Sequence, residues 1–173
     1  MPRKKKSPRG RTPSQKRVLG WLQDLGQRRG YYVTARKKDN TKGSQSSSKY
    51  FYPDIVADPT KGSKNIRVFE IEATVSNNTV YKSLASLLSF LLKNSATAYL
   101  VVPDKKKSFA VGCLKNLKEI IRGYSKSNAG RYPKIQLDVV TFNEVRKSHQ
   151  KQTKWVENEK HGAAPKCTFL PWH

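Results

Sequence analysis

Three strand-like runs follow one another with no helix between them, and only afterwards does the chain alternate helix with strand. Tyr31 to Ala35, Tyr50 to Ala57 and Ile66 to Ala73 are β-branched and aromatic. Asp58-Pro59-Thr60-Lys61-Gly62 is turn chemistry and predicts that the second and third runs pair as a hairpin. A helix precedes them. Thr12-Pro13-Ser14-Gln15 reads as a capping box with proline at the first helical position, Val18, Trp21, Leu22 and Leu25 recur at helical spacing, and Gly26 and Gly30 close it. Downstream, Thr79 to Lys93 places Val80, Leu84, Leu87, Leu88 and Leu91 on one stripe. Ala98 to Val102 is an apolar run ended by Pro103, as suits a buried central strand. A helix near Phe109 to Tyr124 carries Cys113, Leu114, Leu117 and Ile121, and Ile135 to Val140 is a fifth strand. Thr141-Phe142-Asn143-Glu144 is a second capping box, opening a last basic helix. A meander followed by alternation predicts an α/β (α+β) fold, a central mixed sheet flanked by helices. No internal repeat is visible.

Charge is the next constraint. Thirty-five Lys and Arg against twelve Asp and Glu leave +23 over 173 residues. Self-repulsion of that size opposes a compact state, and a polyanion relieves it. Phosphate backbones are the commonest such partner, since neutralising them releases counterions. Solubility alone rarely takes so one-sided a form. The apolar residues concentrate between Val18 and Val145, which argues for a folded centre. The chain therefore divides into a disordered basic arm over 1–13, a core over 14–145 and a basic C-terminal helix and tail over 146–173. The arm carries Arg3, Lys4, Lys5, Lys6, Arg9 and Arg11 with no acid. Its alternatives are a phosphate grip, a nuclear address in a eukaryote, or a solvated tail. Cys113 and Cys167 make no disulfide framework. With no apolar run of membrane-spanning length and no apolar stretch after the basic start, the expectation is a soluble intracellular protein without a membrane partner, cytoplasmic or nucleoid-associated, or nuclear if eukaryotic.

Because acids are few, their placement is informative. Asp54 follows Pro53 in the second run, and Glu70 and Glu72 lie in Val68-Phe69-Glu70-Ile71-Glu72-Ala73. Alternation puts Glu70 and Glu72 on one face, about 6–7 Å apart along the strand. The hairpin register lets Asp54 join them. Three carboxylates brought together repel, and a hard divalent cation is the natural compensation. The plainer reading of a lone Glu-x-Glu is a solvated edge strand paired with lysines. The preceding Pro-Asp, the net charge and the element order tip the balance toward a site that polarises a phosphodiester.

Pro53-Asp54, then Glu70-Ile71-Glu72 on the next strand, then a helix and the strand Ala98 to Val102, resembles the PD-(D/E)xK nuclease superfamily, the restriction-endonuclease-like fold. The resemblance covers roughly Ser14 to Phe142. It implies a metal-dependent endonuclease hydrolysing DNA, with RNA left open, in which Asp54 and Glu70 hold Mg²⁺ or Mn²⁺. It also implies a possible homodimer. Residue 72 would normally be lysine in this family. Here Glu72 is either a third ligand, a water-orienting base of the kind a minority of restriction endonucleases carry, or the mark of an inactive copy. Lys82 on the following helix is a candidate replacement, but at about 100° per residue it points away from the apolar stripe.

Weaker features complete the reading. Lys42 and Lys49, in the Ser- and Lys-rich loop, can touch phosphates, or the loop is plain surface. Tyr50, Phe51 and Tyr52 can stack on bases, though adjacent strand aromatics more often pack. His149, His161, Cys167 and His173 form no zinc spacing. The rival reading is a non-catalytic basic nucleic-acid-binding protein, ribosome-associated or a degenerate nuclease fold. It shares the charge but needs no convergence of acids.

Overall fold

The computed structural model describes residues 13–36, 53–59, 65–127 and 135–171. Helix α1 (Pro13–Arg28) opens with proline, whose missing N–H would lack a helical partner at that position anyway. Thr12, the expected cap, lies outside the described residues. Gly30, at φ 84°, turns the chain out of the helix in a conformation that suits glycine. Gly26 is needed for a different reason. A Cβ there would stand 2.7 Å from Val33 Cγ2, so the last turn of α1 lies against the next strand only because the side chain is absent.

Five strands follow: β1 (Tyr32–Ala35), β2 (Ile55–Asp58), β3 (Ile66–Ile71), β4 (Ala96–Val102) and β5 (Gln136–Thr141). They form one sheet in sequence order. β1–β2 and β2–β3 are antiparallel, whereas β3–β4 and β4–β5 are parallel. The mixed sheet expected from the element order is therefore present. The parallel joints require crossovers, and helices supply them. α2 (Asn77–Leu91) connects β3 to β4, and α3 (Lys107–Ser127), entered through the 3-10 turn Asp104–Lys106, lies between β4 and β5. α4 (Phe142–Glu157) follows β5. The capping box expected at Thr141 and Glu144 opens α4 as read, and α2 is capped by a second box, Ser76 with Thr79, ahead of the predicted start.

Two apolar layers hold the sheet. On one face Val18, Leu22 and Leu25 of α1 and Val145 of α4 pack on Ile55, Phe69, Ile71 and Val101. On the other, Val80, Leu84, Leu87 and Leu91 of α2 and Ala110, Cys113 and Leu114 of α3 pack on Val68, Ala98, Leu100 and Val102. Ala98 to Val102 is buried throughout, because a strand paired on both sides and covered on both faces has no solvated side. Each fully buried Leu or Ile contributes about 2 kcal/mol.

The first layer also takes in the end of the described chain. Cys167, Phe169 and Leu170 are buried in it, and Phe169 meets Phe69 and Tyr99 edge-on. Arg29, 1% exposed, donates through its guanidinium to the carbonyls of Leu170 (2.9 Å) and Pro165 (2.7 Å). Burial lowers the Arg29 pKa and raises that of Cys167. Residues 165–170 thus pack as part of the layer formed by α1 and α4.

The topology sorts the helix ends. α2, α3 and α4 each start where a strand running in the parallel direction finishes. α1 starts at that edge too, since its Gln15 reaches the carbonyl of Ile71, the last residue of β3. Four helix amino ends therefore gather at the carboxyl edge of the sheet, and their partial positive charges with them.

Candidate functional site

Asp54 sits one residue before β2, and the backbone dictates what its side chain does. Ile55 pairs with Phe69, so one step along the ladder Asp54 stands opposite Glu70, and Pro53 opposite Ile71. Proline has no N–H to donate. The ladder stops there, and side chains take over the terminal peptide of β3. The Ile71 N–H donates to Asp54 Oδ2 at 3.0 Å, and the Ile71 carbonyl accepts from Gln15 Nε2 at 2.9 Å. In return the Asp54 N–H donates to Glu70 Oε2 at 3.1 Å. Asp54 is 5% exposed and Glu70 partly buried. Each carboxylate is thus fixed by the other strand's backbone, and the pair comes preassembled.

Glu72 behaves differently. Its N–H continues the parallel ladder to the Val101 carbonyl at 2.9 Å, and its Oε1 accepts from Ser83 Oγ of α2 at 2.6 Å. All three acids share the α2 face of the sheet, as alternation requires. The three-carboxylate cluster expected from the sequence is nonetheless not assembled. Among the described residues, no group of three His, Cys, Asp or Glu side chains is placed to hold a metal ion. The reason is competition: two of the acids serve backbone amides, and the third answers the hydroxyl of Ser83, which is 3% exposed.

The surroundings are cationic and helix-capped. Lys107, at the start of α3, donates to Glu144 Oε1 at 2.6 Å. Glu144 also closes the α4 cap, accepting from the Thr141 N–H at 2.7 Å. Burial pushes Glu144 upward, but the bonds from Lys107 and Thr141 together hold its carboxyl below the usual range. Between the starts of α1 and α4 lies a cavity of about 410 Å³ lined by Ser14, Arg17, Trp21, Asp104, Phe142, Asn143 and Arg146, with Val18 beneath. Lys82 is exposed on α2, as the helical wheel predicts. Arg3, Lys4, Lys5, Lys6, Arg9, Arg11, Lys42, Lys49 and Tyr50 to Tyr52 lie outside the described residues. No described helix is long and apolar enough to cross a membrane.

Sequence reasoning missed Ser83, and Gln15 had a role only as a cap. Ser83 carried a signal: it occupies position i+3 from Val80 inside the apolar stripe, where a polar residue needs a buried partner. Gln15 carried none, because its partner is 56 residues away.

No protein-family model matches this chain, and no curated protein or solved structure matches it either, so the chemistry of the site is what a functional assignment must rest on.

Proposed function

We propose that this chain is a metal-dependent endonuclease of the PD-(D/E)xK type, hydrolysing phosphodiester bonds of DNA. One observation carries the reading. Asp54 and Glu70, from adjacent strands, are locked side by side at the sheet edge where four helix amino ends gather, in a chain of net charge +23. A mixed sheet flanked by helices supports the reading.

The residues present suit a hard divalent ion. Mg²⁺ takes one or two carboxylates and fills its remaining positions with water and substrate phosphate. Asp54 and Glu70 would hold Mg²⁺ or Mn²⁺, which when bound supplies Lewis-acid polarisation of the phosphodiester and a more acidic water. The chain's own groups do the rest. The amides of Ile71 and Asp54 orient the two carboxylates, so no reorganisation is required when substrate arrives. Glu72, braced by Ser83, is a candidate acceptor for a proton from the attacking water. Residues 37–52, which include Lys42 and Lys49, join Arg36 to Pro53, and the Arg36 N–H donates to the Asp54 carbonyl at 2.9 Å.

The test is nicking of plasmid DNA with Mg²⁺ or Mn²⁺. Asp54→Ala and Glu70→Ala should abolish cutting and leave binding intact or tighter. Normal cutting by both variants would sink the assignment. A second reading, a nuclease fold kept only for nucleic-acid binding, is favoured by the absence of a three-ligand cluster among the described residues and by the bond from Ser83 to Glu72. Calorimetry with Mn²⁺ separates the two. Carboxylate-dependent heat supports the enzyme, and none supports the binder.

A further inference from the structure

We infer that the cavity between the amino ends of α1 and α4 is a nucleotide pocket, taking one unstacked nucleotide of a single strand. It lies on the α1/α4 face of the same sheet edge that carries Asp54 and Glu70 on its α2 face. The inference concerns binding only, so it stands whether or not the chain cleaves.

The lining matches the parts of a nucleotide. Its volume, about 410 Å³, falls within the roughly 300–1,000 Å³ of small-ligand sites. Trp21 and Phe142 are half-buried and line the space over a floor of Val18, so each offers an aromatic surface for a base. Stacking of a base on such a ring is worth about 1–3 kcal/mol and requires a base freed from its duplex neighbours. Trp21 is steadied from behind. Its ring lies 6.3 Å from that of His149, which is fixed by Asp24 at 2.8 Å.

Arg17 and Arg146 are both exposed, each is the fifth residue of its helix (α1 and α4), and both line the cavity. A planar guanidinium matches phosphate geometry, and the amino ends of α1 and α4 add their dipoles. Arg146 already donates to Asn143 Oδ1 at 2.9 Å, which aims it along the α4 end of the pocket. Asp104 is the one acid among the described residues of the lining. A carboxylate there repels phosphate and only accepts hydrogen bonds, so it suits the side of the pocket where base amino or imino groups arrive. Two cations against one anion leave the pocket positive. Two arginines, two aromatic rings and a carboxylate acceptor in one lining describe a nucleotide better than an acidic peptide, which would use the arginines but neither the rings nor Asp104. Gln15 ties this wall to Ile71, between Glu70 and Glu72, so a strand can run from the pocket over the sheet edge to the carboxylates.

The test uses the full-length chain in EDTA at about 0.15 M salt, where cleavage is silent and loose surface attraction is screened. Hexathymidylate is titrated while tryptophan emission is followed. Quenching is expected in the wild type, and Trp21→Phe should lose most of it. Arg17→Ala with Arg146→Ala, both exposed and removable without disturbing the core, should weaken binding at least tenfold. A control pair on the surface of α3, Lys115→Ala with Arg122→Ala, should weaken it less than threefold. Equal losses from the two pairs would reduce the pocket to general electrostatics and overturn the proposal, as would quenching that survives in Trp21→Phe. Thymidine monophosphate binding as tightly as the hexamer would also overturn it, by assigning the pocket to a free nucleotide. Failure of the nuclease reading would appear in plasmid nicking and leave these titrations unchanged.

Discussion

The two edges of the sheet differ in charge, in polar chemistry and in what their cavities contain. At the carboxyl edge, carboxylates meet backbone amides and helix amino ends. At the opposite edge, Arg67 donates to Thr97 Oγ1, which in turn donates to Gln136 Oε1 at 2.7 Å, tying together the starts of three strands. That edge holds the larger cavity, about 570 Å³, lined by Asn65, Arg67, Lys93, Asn94 and Gln136. It is nonetheless the less suited to phosphate, because α2 ends there and the partial negative charge of its carbonyls opposes the two cations. Arg29 and its carbonyl partners also belong to the structural work of the molecule. Size does not locate function here. The direction of the helices does, and it follows from the parallel pairing of β3, β4 and β5.

The largest expected difference between the edges is in turnover. Asp54→Asn should lower metal-dependent cleavage by about a thousandfold or more, equivalent to about 4 kcal/mol of barrier. Arg67→Met should leave kcat/KM within about twofold and instead lower thermal stability, since Thr97 loses its donor. Plasmid nicking and thermal melting on the same preparations check both. An Arg67→Met protein as inactive as Asp54→Asn would break the division between a chemical edge and a structural one.

Next in size is the clamp on the chain's end. Arg29→Met removes two charge-assisted bonds and leaves the Leu170 and Pro165 carbonyls short of a donor, the first buried and the second partly so. The expected loss is about 2–4 kcal/mol, read as a lower urea midpoint. Amide exchange should quicken first around Cys167 to Leu170. An unchanged midpoint would show that the segment docks through Phe169 and Leu170 alone.

How much of this was legible depended on distance along the chain. The element order and the buried strand Ala98 to Val102 could be read from periodicity and composition, because neighbours a few residues apart decide them. The shared face of Glu70 and Glu72 was legible for the same reason. The capping box at Thr141 and Glu144 was also local, and the structure forms it. The docking of Phe169 and Leu170 was not legible, since Phe69, Tyr99 and Arg29, which meet them, lie about 70 or more residues earlier in the sequence. Nor was the turn of Glu72 toward Ser83. Alternation places a carboxylate on a face but says nothing of which hydroxyl on the covering helix will take it. The expected three-acid cluster is a pair plus a braced third acid because backbone amides and the Ser83 hydroxyl, which donate to these carboxylates, leave no mark in the spacing of charges along the strands.

Glu72 gives a sharper test of the carboxyl edge than its neighbours do. Ser83→Ala frees Glu72 Oε1 without touching Asp54 or Glu70. If Glu72 orients water, kcat should fall about tenfold with KM unchanged. Stability should fall by only about 1 kcal/mol. Unchanged kcat with the same small destabilisation would reduce Ser83 to a packing partner and leave the reaction to Asp54 and Glu70.

The smallest effect expected concerns the same edge through Glu144, and its sign with pH is fixed. Glutamine keeps one oxygen for the Thr141 N–H and so preserves the cap, while Glu144→Gln removes the charge at the α4 amino end together with the acceptor that meets Lys107. Because the folded carboxyl titrates below its ordinary value, its contribution is fully present above the unfolded pKa and is lost as pH falls through the folded one. The variant should therefore be about 0.5–1 kcal/mol less stable at pH 7. That gap should hold above the ordinary glutamate range and close as pH falls below it, when the wild-type carboxyl takes up its proton. Added salt at pH 7 should shrink it, since both partners are partly exposed. Urea midpoints of the two proteins across this range decide the matter. A gap that persists in acid would mean the glutamate acts through cap geometry, and the electrostatic contrast between the two edges would then rest on the helix dipoles and the arginines alone.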